Sequence, residues 1–230
     1  MKKILFTFLI ISTSLYAQNY EKNWNSVIEN ENNGKIQSAN AIVARIHKKA
    51  IVDKNEVQII KCFFYESKYL QVVDENAQTK IINNLKSEID KASIASKAIL
   101  NLVYAKCLND YQKQNSYLIY SRTNTSRLDE DFLTWTNEDF ISKINTSFEN
   151  TLKDESILKA IYLIEYEGLF DFFTLEKLKK ESLFDYLVKE NIVFYTQKLA
   201  PWGNQTPDIK KFETELISKS ADCTKLNLDS

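Results

Sequence analysis

The stretch Ser93–Asp110, SIASKAILNLVYAKCLND, decides the fold class. Ala95, Ala98, Leu102, Ala105 and Leu108 recur at intervals of three and four, with Ile99, Cys107 and Tyr111 beside them. That spacing places them on one stripe of an α-helix, and no Gly or Pro interrupts it. The whole chain of 230 residues holds only 3 Gly and 2 Pro. Sandwiches and barrels need many tight turns rich in such residues, so the composition favours helices throughout.

Toward the N-terminus the same period continues. Tyr20, Trp24, Val27 and Ile28 form one stripe, and Asn32, Asn33 and Gly34 stop it, because Gly tolerates the left-handed cap conformation. Ile36, Ala39, Val43, Ile46 and Ala50 form the next, and the short turn between predicts an antiparallel hairpin. Val57, Ile60 and Phe64, widened by Ile59 and Phe63, mark a helix to about Leu70; Ala77, Ile81, Leu85, Ile89 and Ala92 mark its partner. Ala39 and Ala77 stand 38 residues apart in similar places, and Trp24, Gly34 and Ala39 follow the order of a tetratricopeptide-like repeat. Any helical bundle gives such stripes too. The expected fold is therefore all-α, built of antiparallel helix hairpins, partly a tetratricopeptide-like solenoid or an irregular bundle.

Toward the C-terminus, Asn115–Ser116 bends or ends the long helix, and Tyr117–Tyr120 (YLIY) is its last turn or a separate short piece. Arg122–Asp131 is a polar loop. Thr136 with Asp139 reads as a capping box opening a helix with Phe140, Ile144, Phe148 and Leu152. Ser156–Phe173 is expected to be a buried helix to about Glu165 and then an irregular link, followed by a turn over Thr174–Lys180. Ser182 with Asp185 caps a final helix carrying Leu183, Leu187 and Phe194, flanked by Tyr186 and Tyr195, to about Lys198. Pro201, Trp202, Gly203 and Pro207 break regularity, and Asp208–Ser218 has room for one short helix. The organisation expected is a signal peptide over 1–17, one helical domain over 18–200 and an irregular tail over 201–230.

The leader reading rests on MKKILFTFLIISTSLYA: Lys2 and Lys3, an apolar stretch over Ile4–Ile11, and the small Ala17 at a cleavage point. The apolar run is too short to span a bilayer, so the expected location after cleavage is the periplasm or cell envelope. The net charge is −1, with no block of like charge, which argues against a nucleic-acid backbone as partner.

Little points to catalysis. His47 is the one histidine, beside Lys48 and Lys49, and reads as a solvated helix residue. Cys62 and Cys107 read as buried thiols or a disulfide pair, and Cys223 as the more exposed thiol. Asp129, Glu130 and Asp131 read as a solvated run, and Glu165 and Glu167 are two apart, so on a helix they do not face each other. That is a poor basis for a glycosidase pair. No metal-ligand cluster, phosphate-binding glycine loop or nucleophile elbow occurs, so neither an enzyme nor a cofactor is expected. Sequons at Asn124, Asn145 and Asn204 carry no weight in an Asn-rich chain. Trp135 and Trp202 lie off the helical stripes, either as partner contacts or as caps packed over helix ends.

Four stretches together carry a resemblance: Lys80–Ser93 (KIINNLKSEIDKAS), Asn115–Thr123 (NSYLIYSRT), Asp131–Thr136 (DFLTWT) and Leu183–Tyr195 (LFDYLVKENIVFY). With Tyr20–Ala50, this ordered set resembles the N-terminal helical region of large bacterial alpha-2-macroglobulin-like proteins, over most of 20–198. The resemblance implies export to the cell envelope, and a place ahead of β-sandwich macroglobulin domains in a protein that traps proteases. A thioester there needs Cys-x-x-Gln, and none of the three cysteines has Gln three residues on, so trapping chemistry carries over to no residue here. The expected role is a non-catalytic interaction or scaffold module, possessing neither bait region nor thioester. Its partner would be downstream macroglobulin domains or another envelope protein. The alternative is a stand-alone periplasmic helical-repeat adaptor.

Overall fold

The structure, a computed structural model, describes residues 20–122, 131–170 and 173–199. The chain is all-α, with no strand among the described residues. Its contacts divide it into two compact units, the first ending at Ala77 and the second beginning at Gln78. A single domain over 18–200 was the expectation, and the second hairpin of that reading straddles this boundary.

The first unit holds helix α1 (residues 20–32), α2 (Ile36–Asp53) and α3 (Glu56–Val73). Gly34 (φ 69°) ends α1 as foreseen: its N–H reaches the Glu31 carbonyl at 2.9 Å, and Lys35 N–H reaches Asn30 at 2.8 Å. This pair of crossed bonds is a Schellman closure. The same closure ends α2, with Lys54 N–H on Ile51 and Asn55 N–H on Ala50, but here the left-handed residue is Lys54 (φ 54°). The core is Tyr20, Trp24 and Val27 from α1, Ala39, Val43, Ile46 and Ala50 from α2, and Cys62 and Tyr69 from α3. Polar clips hold its rim. Tyr20 OH donates to Asp53 (2.6 Å), Trp24 Nε1 to Gln58 Oε1 (2.6 Å), and Lys68 pairs with Glu31 (2.7 Å).

The second unit is organised by α5 (Ile94–Gln114), which follows α4 (Ala77–Lys91). Besides the expected stripe, Ser96, Leu100, Asn101, Tyr104 and Asn109 are buried, so α5 is enclosed on nearly every side. It is followed by α6 (Ser116–Tyr120), a 3-10 turn over Phe132–Thr134, and α7 (Asn137–Leu152). Then come α8 (Glu155–Ala160), a 3-10 segment over Leu163–Leu169, α9 (Leu175–Lys180) and α10 (Leu183–Leu199). The expected capping box at Thr136 and Asp139 is present, as is the expected Ser182–Asp185 pair, whose hydroxyl donates at 2.7 Å; Thr174 adds a cap on α9 that the sequence reading did not name.

The helix expected to run to Glu165 instead ends at Ala160. There the chain straightens into a one-residue antiparallel bridge, Tyr162 opposite Ser182. Leu183 N–H donates to the Ile161 carbonyl (2.7 Å) and Leu163 N–H to Glu181 (3.0 Å). Glu181, buried between Lys189 (3.3 Å) and Lys177 (3.7 Å), is held at this crossing. Among the described residues no helix is long and apolar enough to cross a membrane.

Candidate interaction surface

The second unit builds an outward apolar face where α5 gives way to α6. Asn115 closes α5, its side-chain amide donating to the Tyr111 carbonyl (2.9 Å), and its own carbonyl accepts from Ile119 N–H (3.0 Å) to start α6. Ile119 alone of this short helix is buried. Beneath lie Tyr111, Phe132, Trp135 and Phe140, with Tyr111 edge-on to Phe132 at 5.0 Å and Trp135 edge-on to Phe140 at 5.4 Å. Arg122 Nη1 donates to the Trp135 carbonyl (2.7 Å) and ties the exit of α6 to this cluster. The remaining side chains of the YLIY run point outward: Tyr117 is 88% exposed, Tyr120 71% and Leu118 57%. Leu133, on the neighbouring 3-10 turn, is also exposed.

A separate groove of about 230 Å³ lies between α5 and α10, lined by Lys106, Asp110 and Lys113 on one side and Glu190, Val193 and Gln197 on the other. Lys106 and Glu190 pair across it. Three pairings fix the helix directions. Gln112 on α5 meets Asn137 at the start of α7 (2.8 Å), whereas on α10 Asn191 meets Thr151 (2.9 Å) and Tyr195 meets Asn145 (3.3 Å). Both α5 and α10 therefore run against α7 and parallel to each other. Their C-terminal turns end side by side, next to α6.

The expected contact residues fall differently. Trp135 is buried, 6% exposed, and packs over the start of α7, so it is a cap and not a partner anchor. Trp202 lies outside the described residues, as do residues 1–17, where a leader is expected, residues 123–130, which make up most of the expected polar loop, and Cys223. The sequence reading missed Tyr117, Leu118 and Tyr120 as surface. A signal was present: successive helical residues turn by about 100°, so four apolar neighbours fan around the axis and cannot all face one core.

The other chemistry-bearing residues do not assemble. His47 does have an acid partner, contrary to expectation: Glu66 of α3 lies 3.1 Å from Nδ1, supplied by the next helix and not by sequence neighbours. Cys62 and Cys107 are free thiols and lie in different units. Burial pushes Cys62 up to about 12, aided by Glu66 and opposed by Lys61, and burial with Asp110 pushes Cys107 up to about 11. Few thiolates form at neutral pH in either case. Glu165 caps its own 3-10 segment by accepting from Tyr162 N–H (3.1 Å), and Asp131 caps Leu133 N–H (3.0 Å). Among the described residues no group of three His, Cys, Asp or Glu gathers as a metal site.

No protein-family model, curated protein or solved structure matches the chain.

Proposed function

We propose that the chain is a non-catalytic interaction module of an exported, macroglobulin-like envelope protein, and that it engages its partner through the α6 face. The observation that carries this reading is the exposure of Tyr117, Leu118 and Tyr120 together on one short helix pinned by Ile119. Tyrosines bring large contact area and a polar tip at little entropic cost, so they suit a protein contact. The helix falls within Asn115–Thr123, one of the four stretches that carry the family resemblance. The envelope location rests on the leader-like opening residues.

The test has two parts. The genomic reading frame past the Ser230 codon should encode macroglobulin-type β-sandwich domains. Chemical cross-linking in intact envelopes should then join the wild-type chain to a protein partner, and Tyr117→Ser with Tyr120→Ser should reduce that product at least tenfold, since a single hot-spot aromatic already carries about 2 kcal/mol or more. An undiminished product would refute the role of α6.

A second reading, the stand-alone helical-repeat adaptor, is favoured by one specific observation in the first unit. Trp24 and Ala39 are both buried against the same core and Gly34 makes the turn between them, the arrangement of one helix-turn-helix repeat. A reading frame with no macroglobulin domains past Ser230 would favour it.

A further inference from the structure

We infer that the groove between α5 and α10 binds an extended peptide segment, with the side-chain amide of Asn109 reading its backbone. This site is separate from the α6 face and stands independently of it. Three buried asparagines occur in the second unit, and two of them are satisfied. Asn101 donates to the Lys97 carbonyl (2.8 Å), and Asn191 donates to Thr151 (2.9 Å) and the Leu187 carbonyl (2.8 Å). Asn109 is 7% exposed, lines the groove, and makes no side-chain hydrogen bond among the described residues. A buried carboxamide without a partner costs stability and calls for one from outside. It offers two donors and an acceptor, the complement of a peptide C=O and N–H.

The walls fit the same ligand. On α5, Lys106, Asn109, Asp110 and Lys113 stand at i, i+3, i+4 and i+7; on α10, Glu190, Val193, Phe194 and Gln197 do the same. The Lys106–Glu190 pair crosses one end. From there to Lys113 is about 10 Å at the helical rise, the length of about three extended residues. Asp110 and Lys113 pair with no opposite charge among the described residues, and side chains so spaced on a helix lie about 5–6 Å apart. Alternate residues of an extended chain lie about 6–7 Å apart on one side, and the residue between them points to the other. A segment with a base and an acid flanking an apolar residue therefore sets its charges against Asp110 and Lys113 and its apolar side chain against Val193 and Phe194. The groove's two bases and two acids cancel, which disfavours a polyanion. Phe194 stacks on Phe148 at 4.0 Å and so spends a ring face that a sugar would need.

The test titrates the isotope-labelled full chain with acetyl-Lys-Leu-Glu-amide and acetyl-Glu-Leu-Lys-amide, one for each strand direction, and follows the Asn109 side-chain amide by NMR. At least one peptide should shift that resonance, with a Kd on the order of 1 mM, the range of a few contacts. Asn109→Leu should weaken binding about tenfold, the loss of two hydrogen bonds, while its denaturation midpoint holds or rises because an unpartnered buried amide has been removed. Val193 is 48% exposed, so Val193→Glu leaves the core intact and should weaken binding independently through the apolar wall. No shift with either peptide would overturn the inference, and so would equal binding by Asn109→Leu and wild type. A lower midpoint for Asn109→Leu would overturn it too, by showing that the amide serves the fold. Shifts with maltotriose and with neither peptide would overturn it in favour of a glycan.

Discussion

Lys54 occupies the position that Gly34 fills one turn earlier in the chain, yet it carries a side chain at φ 54°. A left-handed residue with a Cβ costs about 1–2 kcal/mol against its right-handed alternative. Lys54→Gly should therefore stabilise the first unit by about 0.5–1 kcal/mol, after allowing for the extra freedom Gly has when unfolded. A urea titration of the full chain checks this; no gain would mean that the loop already relaxes elsewhere. At Trp135 the sign reverses. The ring is packed against Phe132 and Phe140, so Trp135→Ala should cost about 3–5 kcal/mol in the second unit, as for other large core aromatics. A loss below about 1 kcal/mol, the size expected for a surface change, would contradict its burial.

The elements are closed by local chemistry, and α7 shows it best. Thr136 Oγ1 accepts from Asp139 N–H, and Asp139 accepts from Thr136 N–H at 2.9 Å, so two otherwise unpaired amides are satisfied reciprocally. Thr136→Ala should lower stability by about 1 kcal/mol, and Thr136→Ser should restore most of it, because the hydroxyl and not the methyl makes the cap. Denaturation of the three proteins side by side decides this. Such caps were legible in the sequence because donor and acceptor lie three residues apart. The end of α8 was not. Residues 156–165 are apolar enough to continue a helix, and what stops them is the Tyr162–Ser182 bridge to a segment about twenty residues away. α6 was only half legible. Asn115–Ser116 announced the break, but which of the next four apolar residues faces inward depended on where α7 and its aromatic cluster lie.

Across the molecule, several helices bury groups that resist ionisation. Cys62 and Cys107 are raised from 9.0 to about 12 and about 11. Tyr104 and Tyr195 are raised from 10.0 to about 12, Tyr104 by burial and Tyr195 by burial with Glu149. Each is neutral in the fold and easier to ionise once unfolded. Their contribution is complete below the unfolded values and is lost as the pH climbs through the folded ones. Denaturation midpoints should therefore be flat with respect to these groups up to about pH 8 and fall progressively from about pH 9 to 12. A midpoint that holds steady to pH 11 would show that these groups ionise without opening the fold.

The sequence by itself determined the helical class, most helix positions and the helix ends at Gly34, Thr136 and Ser182, because these depend on period and on contacts within one turn. It also identified Ala39, Val43, Ile46, Phe140, Ile144 and Phe148 as core, and all six are buried. Tertiary structure alone decided what depends on distant partners. It divided the chain at Ala77, gave His47 its partner Glu66, buried Trp135 and turned Tyr117 and Tyr120 outward. The physical reason is the same in each case. A stripe specifies that a face must be covered, whereas the neighbour that covers it is set by how separate elements pack.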